Sequence, residues 1–373
     1  MTQPTALAER LSSRAAAFNR TLQDTSDGVI LYGAGFIGRW SVRYFRELGI
    51  PVVGIVDSNP AKTGLSIDGV LIQRLSDLSA KDMRRIVISS RHNVTEIQRV
   101  LACHFIESVL SVDEFVVHKT GTDLIYQGAE RFKDLVSKET YWAILNCMAT
   151  GTTDWLRDLA NSQPYFGEFG YFNRTSEVFV DAGAYTGDSI ERFIWSVNGS
   201  FTEIHGFEPG AAQYEALQIR LARLRSEWAI GDDQIIANNF ALSAFDRSLS
   251  RVRSDTLTGD TYESHSADAS TADASLLTNA RSLDSYFGSK DITLLKADVE
   301  GHETELITGG STLLQRCLPR LILAVYHFPT DLFSIPRAVE TISPHYRYRL
   351  RHHSSQLMET FLYCSAETAG VRE

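Results

Sequence analysis

At 373 residues the chain is longer than one hydrophobic core usually grows, so two domains are expected, and its 43% of hydrophobic residues can fill both. A formal net charge of −10 argues against nucleic acid or an anionic membrane as a partner, because phosphate binding needs a basic face. No stretch approaches the roughly 18 apolar residues of a membrane helix, and the first 20 residues lack a signal peptide's apolar centre, so a cytoplasmic protein is expected.

Leu7, Leu11 and Ala15 recur at helical spacing and predict a helix or frayed arm up to about residue 25. Next, Gly28 to Tyr32 reads as a short apolar strand. It runs into Gly33-Ala34-Gly35-Phe36-Ile37-Gly38, a full G-x-G-x-x-G, and then a helix to about Leu48. Val52 to Val56 is a second strand ending in Asp57, the acid expected after such a turn to hold a ribose diol. Further parallel strands are expected at Ile86 to Ser90 and Ser108 to Val112. Gly33, Gly35, Gly38 and Asp57 thus form a candidate nucleotide site, or a Rossmann turn kept without a ligand.

From about Asp123 to Gln163 apolar residues such as Phe132, Leu135, Tyr141, Ile144 and Leu145 follow a helical period, predicting a helix pair between two halves. Pro164 to Phe172 is rich in aromatic residues and is either a lid over a ligand or packing against that linker. Cys103, Cys147, Cys317 and Cys364 have no close partner in sequence, which points to ordinary buried thiols rather than zinc ligands or disulfides.

The most informative run is Val178 to Ser189, VFVDAGAYTGDS. Three apolar residues suit a buried strand, Asp181 ends it, Gly183 and Gly187 let backbone approach a ligand, and Asp188 or Ser189 can cap the next helix. About 20 residues on, Ile204 to Pro209 ends a second strand in Glu208, which can accept both hydroxyls of a ribose. NAD and S-adenosylmethionine both offer a ribose diol and an adenine here. The spacing G-x-x-x-G, with Asp181 before it, is not the dinucleotide pattern. An acid at that turn repels a pyrophosphate and suits a sulfonium and an ammonium.

Between Arg247 and Asn279 the chain turns polar, with SHSADASTADAS at its centre, and a mobile surface loop is expected. Ile292 to Ala297 then forms a strand that delivers Asp298 and Glu300, with Gly301 allowing a tight turn, to the edge where open α/β sheets bind ligands. His327 ends the next strand, LILAVYH, and points to the same edge. An acid or His327 can act as general base, His327 because imidazole titrates near neutral pH. Asp298 and Glu300 together can instead hold a divalent metal. Glu303 and Glu305 are expected to solvate a helix start. Lys296, inside the strand, is expected to pair with an acid, and His352 and His353 are weaker candidates for the site.

Taken in order, FVDAGAYTGD, FEP, Asn239-Phe240-Ala241-Leu242-Ser243, Leu283-Asp284 and K-A-D-V-E-G-H-E resemble the FkbM family of adenosylmethionine-dependent methyltransferases from about Glu177 to Cys364, roughly half of the chain. The resemblance implies a class I methyltransferase sheet of seven strands, the last antiparallel. It also implies a cofactor site at Asp181, Gly183, Tyr185, Gly187, Asp188 and Glu208, with Asn239 and Ser243 near the adenine. Tyr185 departs from the asparagine common at its position. The first half resembles small Rossmann-like modules found beside sugar-modifying enzymes, on G-A-G and on Asp57, Asn59, Pro60 and Lys62; such modules are implied to bind a nucleotide or nucleotide-sugar, and some are empty docking domains.

The expectation is therefore two Rossmann-like α/β domains. An arm and module occupy residues 1–122, a helical linker 123–170, and the methyltransferase domain 171–373. The expected function is O-methylation of a hydroxyl on a sugar or glycosylated metabolite, with adenosylmethionine as donor and a small molecule or saccharide as partner; a homo-oligomer is left open. An NAD-dependent nucleotide-sugar oxidoreductase or epimerase working at Gly33 to Gly38 and a non-catalytic nucleotide-binding scaffold are the alternatives. Tyr286 and Lys290, the one pair four apart that such an oxidoreductase could use, lie outside the first domain.

Overall fold

A computed structural model describes residues 3–23, 28–106, 109–160, 165–169, 176–252, 261–264 and 277–366. Its first sheet is built from β1 (Val29–Tyr32), β2 (Val52–Val56), β3 (Ser66–Ile67), β4 (Val70–Gln73), β5 (Ile86–Ile88) and β6 (Leu110–Ser111), in the order β3-β4-β2-β1-β5-β6. All four residues of β1 are buried because both sheet faces are covered. Leu31 joins Ile55, Val87, Phe45 and Phe115 on one face, and Ile30 and Tyr32 join Val56, Ile88 and Leu101 on the other. The parallel partners of β1 are β2 on one side and β5 on the other, so the glycine turn sits in the middle of the sheet edge.

Two details differ from the sequence reading. An antiparallel hairpin, β3 with β4, is inserted after the second strand and lengthens that edge. The strand expected over Ser108 to Val112 is cut to two residues, because the Ser111 hydroxyl accepts the Glu114 N–H at 3.0 Å and starts a helix at Val112.

The helix Gln3–Gln23 and the helix Leu135–Thr150 pack together, and Leu7 shares one hydrophobic core with Tyr141, Leu145 and residues as distant as Cys364. Helix Leu135–Thr150 is buried around most of its circumference; its Asp134 cap accepts the Ser137 N–H at 2.9 Å, and Gly151 ends it at φ +74. Its Ser137 hydroxyl accepts the Leu350 N–H at 2.8 Å, which ties it to the second sheet. The predicted helix pair is thus part of a core, and none of the described helices is long and apolar enough to cross a membrane.

That second sheet begins with β7 (Val178–Ala182), β8 (Glu203–Phe207) and β9 (Ile235–Asn238). A smaller sheet follows, made of β10 (Ala241–Leu242), β11 (Arg247–Val252), β12 (Thr261–Ser264) and β13 (Leu277–Arg281). The second sheet is completed by β14 (Leu294–Ala297), β15 (Arg320–Ala324), β16 (Tyr346–His352) and β17 (Thr360–Ala366), giving the order β16-β17-β15-β14-β7-β8-β9. Only β17 runs antiparallel to its neighbours, pairing with β15 and β16.

The stretch Arg247 to Asn279, expected as a loop, therefore contributes strands, since β11 pairs antiparallel with both β12 and β13. Ladder hydrogen bonds join backbone groups whatever the side chains are, and a reading by side-chain polarity misses them. Most of SHSADASTADAS lies outside the described residues. In the aromatic segment, Tyr165 and Phe166 are buried against Phe361 and Phe179, so the described part is core packing; Pro164, Tyr171 and Phe172 are outside the described residues.

The two sheets meet through segments that follow the carboxyl ends of their inner strands. The rings of Phe36 and Trp40, on the helix Phe36–Glu47 that follows the glycine turn, stack on Phe328 with centroids 5.1 and 5.4 Å apart. Arg91 donates to the Tyr326 carbonyl and is paired with Asp113 at 2.9 Å.

Candidate active site

The carboxyl ends of β7, β8 and β14 converge because the three strands are parallel neighbours in register, with Ala182 opposite both Phe207 and Ala297. The turns after β7 and β14 press so closely that a Cβ on Gly183, at φ +76, would lie 1.9 Å from the Asp298 carbonyl oxygen. Gly187 is at φ +84, where an L side chain is strained, with the Leu217 side chain 2.7 Å from where a Cβ would be. Tyr185 lies between them at φ +48 and is 48% exposed. An asparagine tolerates that left-handed backbone more easily, which gives the family's preference a backbone reason.

Glu208 ends β8 with its carboxylate nearly buried. Its Oε2 accepts the Tyr185 N–H at 2.9 Å and its Oε1 the Gly210 N–H at 2.7 Å, while burial pushes its carboxyl up from the usual range. Each oxygen keeps a lone pair for a hydroxyl donor, so the group suits a ribose diol. Asn239 holds that loop from behind, donating to the Glu208 carbonyl at 2.8 Å. Ser243 is buried and accepts from Arg247 at 2.8 Å, which makes it a brace of the small sheet rather than a residue facing a ligand.

Asp181 was expected to face a cationic ligand, but the structure gives it a partner within the protein. It is fully buried, directly opposite Lys296 in the β7–β14 register, with its Oδ1 3.1 Å from the Lys296 Nζ and its Oδ2 accepting the Ser189 hydroxyl. Burial alone disfavours the Lys296 charge, yet Asp181 and its other neighbours keep the amine protonated. Lys296 also donates to the Gly183 carbonyl at 3.0 Å, so the pair fixes the cofactor turn from below. The helix Asp188–Ser196 is capped by Gly187 rather than by a side chain; Asp188 is its first residue and Ser189 turns inward.

On the other side of β14 a tighter cluster forms. Gly301 is at φ +91 with Phe328 where a Cβ would be, and Glu300 itself is held at φ +54, a backbone region that costs a glutamate free energy. His327 is buried with Nε2 3.3 Å from Asp298 Oδ1 and 3.7 Å from Glu300 Oε2, and with Nδ1 3.0 Å from Glu303 Oε1. Burial opposes its charge, but Glu303, Glu300 and Asp298 overcome this and lift its pKa to about 10.

His327 is therefore an imidazolium at neutral pH, which corrects its reading as a base that titrates there. Glu300 takes that place. Burial raises its carboxyl to about 7, against the pull of His327, and the side chain still opens onto a cavity of about 610 Å³. Asp331, buried behind the cluster and also pushed up to about 7, first by burial and then by Glu303, does not line that cavity.

Three participants were not predicted. Glu303, expected at a solvated helix start, is buried and accepts the Val299 N–H at 2.9 Å; the imidazolium and that amide hold it below the usual range despite its burial. The Tyr326 hydroxyl donates to Asp298 at 2.9 Å, with Glu359 at 3.5 Å. Glu303 had a signal in the sequence, as the third acid of the run Asp298, Glu300, Glu303. Tyr326 and Glu359 had none, as only strand pairing brings them near.

Among the described residues, Asp298, Glu303 and His327 bring their ligand-type atoms within 4.8 Å of one another, and Glu300 is outside that group. The expected Asp298 and Glu300 metal pair is not the group the fold assembles. His352, buried against Thr360 with its pKa lowered to about 4 by burial, and His353, 3.1 Å from the Tyr363 hydroxyl, belong to the β16–β17 packing. Tyr286 and Lys290 contact His205 and Glu203 on β8, far in the fold from the glycine turn.

Residues 181–350 match the family model of the methyltransferase FkbM domain. Over nearly its whole length the chain is similar to the methyltransferase FkbM of Methylobacillus flagellatus KT, 20% identical with a TM-score of 0.58, covering 97% of this chain and 100% of that one. That likeness is one of fold. An rRNA methylase from Streptococcus thermophilus is 13% identical with a TM-score of 0.32, over 58% of this chain and 94% of its own. Among curated proteins, the redox-sensing transcriptional repressor Rex of Roseiflexus sp. (strain RS-1) is 41% identical over 51 residues. That match is 13% of this chain and 23% of Rex, so the chain spans under a quarter of that relative's length. With its ordered motifs, its sheet closed by an antiparallel β17 and its match over residues 181–350, the chain carries a methyltransferase FkbM domain.

Proposed function

We propose that the chain transfers a methyl group from S-adenosylmethionine to a hydroxyl of a sugar or glycosylated metabolite, with Glu300 as the base. The observation that carries this reading is a half-buried carboxyl with pKa about 7, held at a strained backbone position on the wall of a large cavity. The residues around Gly183 fit the cofactor, since Glu208 presents only acceptors, as a ribose diol requires. When bound, the cofactor supplies an electrophilic methyl on a sulfonium.

The protein's own residues then have separate tasks. Glu300 takes the hydroxyl proton, because a neutral alcohol is a poor nucleophile. The His327 imidazolium keeps Asp298 and Glu303 from repelling the oxyanion that forms, and Tyr326 fixes Asp298 through its hydroxyl. The Asp181–Lys296 pair holds the Gly183 turn in place. The sugar acceptor rests on the resemblance of the first half to modules beside sugar-modifying enzymes.

Calorimetric titration with S-adenosylhomocysteine tests the reading. Micromolar binding that is lost in Glu208→Ala is expected, and a folded chain that does not bind it would refute the proposal. Activity is also expected to be unchanged in EDTA, because Glu300, the proposed base, stands outside the group of ligand-type atoms around His327 and needs no metal to take the hydroxyl proton. A loss of turnover restored by Mg²⁺ would contradict that.

A further inference from the structure

The cavity of about 610 Å³ has walls from both sheets: Gly35 and Asp57 beside Arg91 on the first, and Glu300, Tyr326 and His327 on the second. Its size is that of a small-molecule site, roughly 300–1,000 Å³. The three glycines of the first turn divide in a telling way. A Cβ on Gly38 would lie 2.0 Å from the Gly33 carbonyl oxygen, and Gly33 is at φ +127 with Ser89 2.9 Å from a Cβ, so folding alone explains both. Gly35 is different. Its backbone, φ −93 and ψ −158, is open to any residue, and a Cβ there would meet nothing within 4 Å. Nothing in the protein's packing requires a glycine at this position, and Gly35 lines the cavity.

The wall chemistry is ordered. Asp57 accepts the N–H groups of Ala34 and Asn59, each at 2.8 Å, and retains lone pairs for a diol. Gly35 caps the 12-residue helix Phe36–Glu47 without a side-chain acceptor, so that helix's amides and positive dipole end face the same space, with Lys62 at its rim. Glu300 lines the same cavity from the second sheet, where Phe36 and Trp40 stack on Phe328.

We infer that the first sheet is the acceptor-binding half of a composite active site, which holds a nucleoside diphosphate ester of a sugar with one sugar hydroxyl presented to Glu300. The inference rests on the methyltransferase reading above. Such a molecule carries a diol, a diphosphate and a hydroxylated sugar, and the cavity wall offers Asp57 acceptors, the helix start and the Glu300 carboxylate to them. In the transfer the sulfonium S–CH₃ bond breaks, its electrons stay on sulfur as a neutral thioether, the sugar O–CH₃ bond forms, and the hydroxyl proton passes to the Glu300 carboxylate.

The test is calorimetric titration of the full chain with UDP-glucose, GDP-mannose, the bare nucleotides UDP and GDP, NAD and S-adenosylhomocysteine. One sugar nucleotide is expected to bind in the micromolar range. Gly35→Val, which the backbone admits, is expected to weaken it by at least about tenfold through a clash in the cavity while leaving S-adenosylhomocysteine affinity unchanged. Glu300→Ala is expected to weaken the sugar nucleotide several-fold and not its bare nucleotide. Unaltered sugar-nucleotide binding in Gly35→Val would overturn the inference, as would binding of NAD alone, or of S-adenosylhomocysteine with none of the nucleotides. If the wild-type chain fails to bind S-adenosylhomocysteine, the methyltransferase reading itself falls, and the acceptor assignment with it.

Discussion

Glu300→Gln is expected to lower kcat for methyl transfer by about 100- to 10,000-fold, the usual contribution of a positioned general base. Glutamine keeps the size and the cavity wall but cannot take the hydroxyl proton. In the wild type only the ionised carboxylate is active, and its folded pKa is raised to about 7, so the rate should climb as pH rises from 6 to 8 and then level. The His327 imidazolium, with pKa about 10, stays charged throughout that window and contributes no step within it. A Glu300→Gln enzyme that kept both its rate and a step near pH 7 would transfer the role to another group. A wild-type step near pH 10 would return it to His327.

Lys296→Ala is expected to destabilise the chain by about 3–5 kcal/mol, read as a fall in the denaturant midpoint, because it leaves the Asp181 carboxylate buried without its partner. The two groups lie opposite each other between β7 and β14, and the ring of Tyr165 stands 5.6 Å from the Lys296 amine. The double change Asp181→Leu with Lys296→Met should recover most of that stability, since a buried ion pair replaced by apolar groups of similar volume is often neutral. It should not recover S-adenosylhomocysteine binding, as the hydrogen bond from Lys296 to the Gly183 carbonyl would be gone. A single change costing under about 1 kcal/mol would show that water or another group compensates Asp181.

Strand ends were the legible part of this protein. Apolar runs such as Val178 to Val180 and Leu294 to Ala297 announce buried parallel strands, and the acids that close them, Asp181, Glu208 and Asp298, had to fall at one sheet edge once the strands are parallel. The glycines were legible for the same reason: Gly33, Gly38 and Gly183 press against backbone, and Gly187 takes a positive φ. Less was visible where pairing is made by backbone alone: the hairpin β3–β4 and the small sheet of β10 to β13 carry no clear apolar alternation.

Protonation was not legible at all. His327 looked like a neutral-pH base, and its three carboxylate neighbours come from the turn after β14 and the helix that follows, contacts set by the packing of β14 on β15. Asp181 likewise looked like a ligand for a cation until strand register placed Lys296 beside it.

The sequence by itself determined the order of elements, the family of the second half and the positions of acids and glycines, because these follow from local period and turn chemistry. Only the tertiary structure decided which charges neutralise one another, which carboxyls are left poised near neutral pH, and that the first glycine turn opens onto the cluster at Glu300. Coulomb interactions and cavities depend on distances across strands and between sheets, and chain order does not encode those distances until the fold closes.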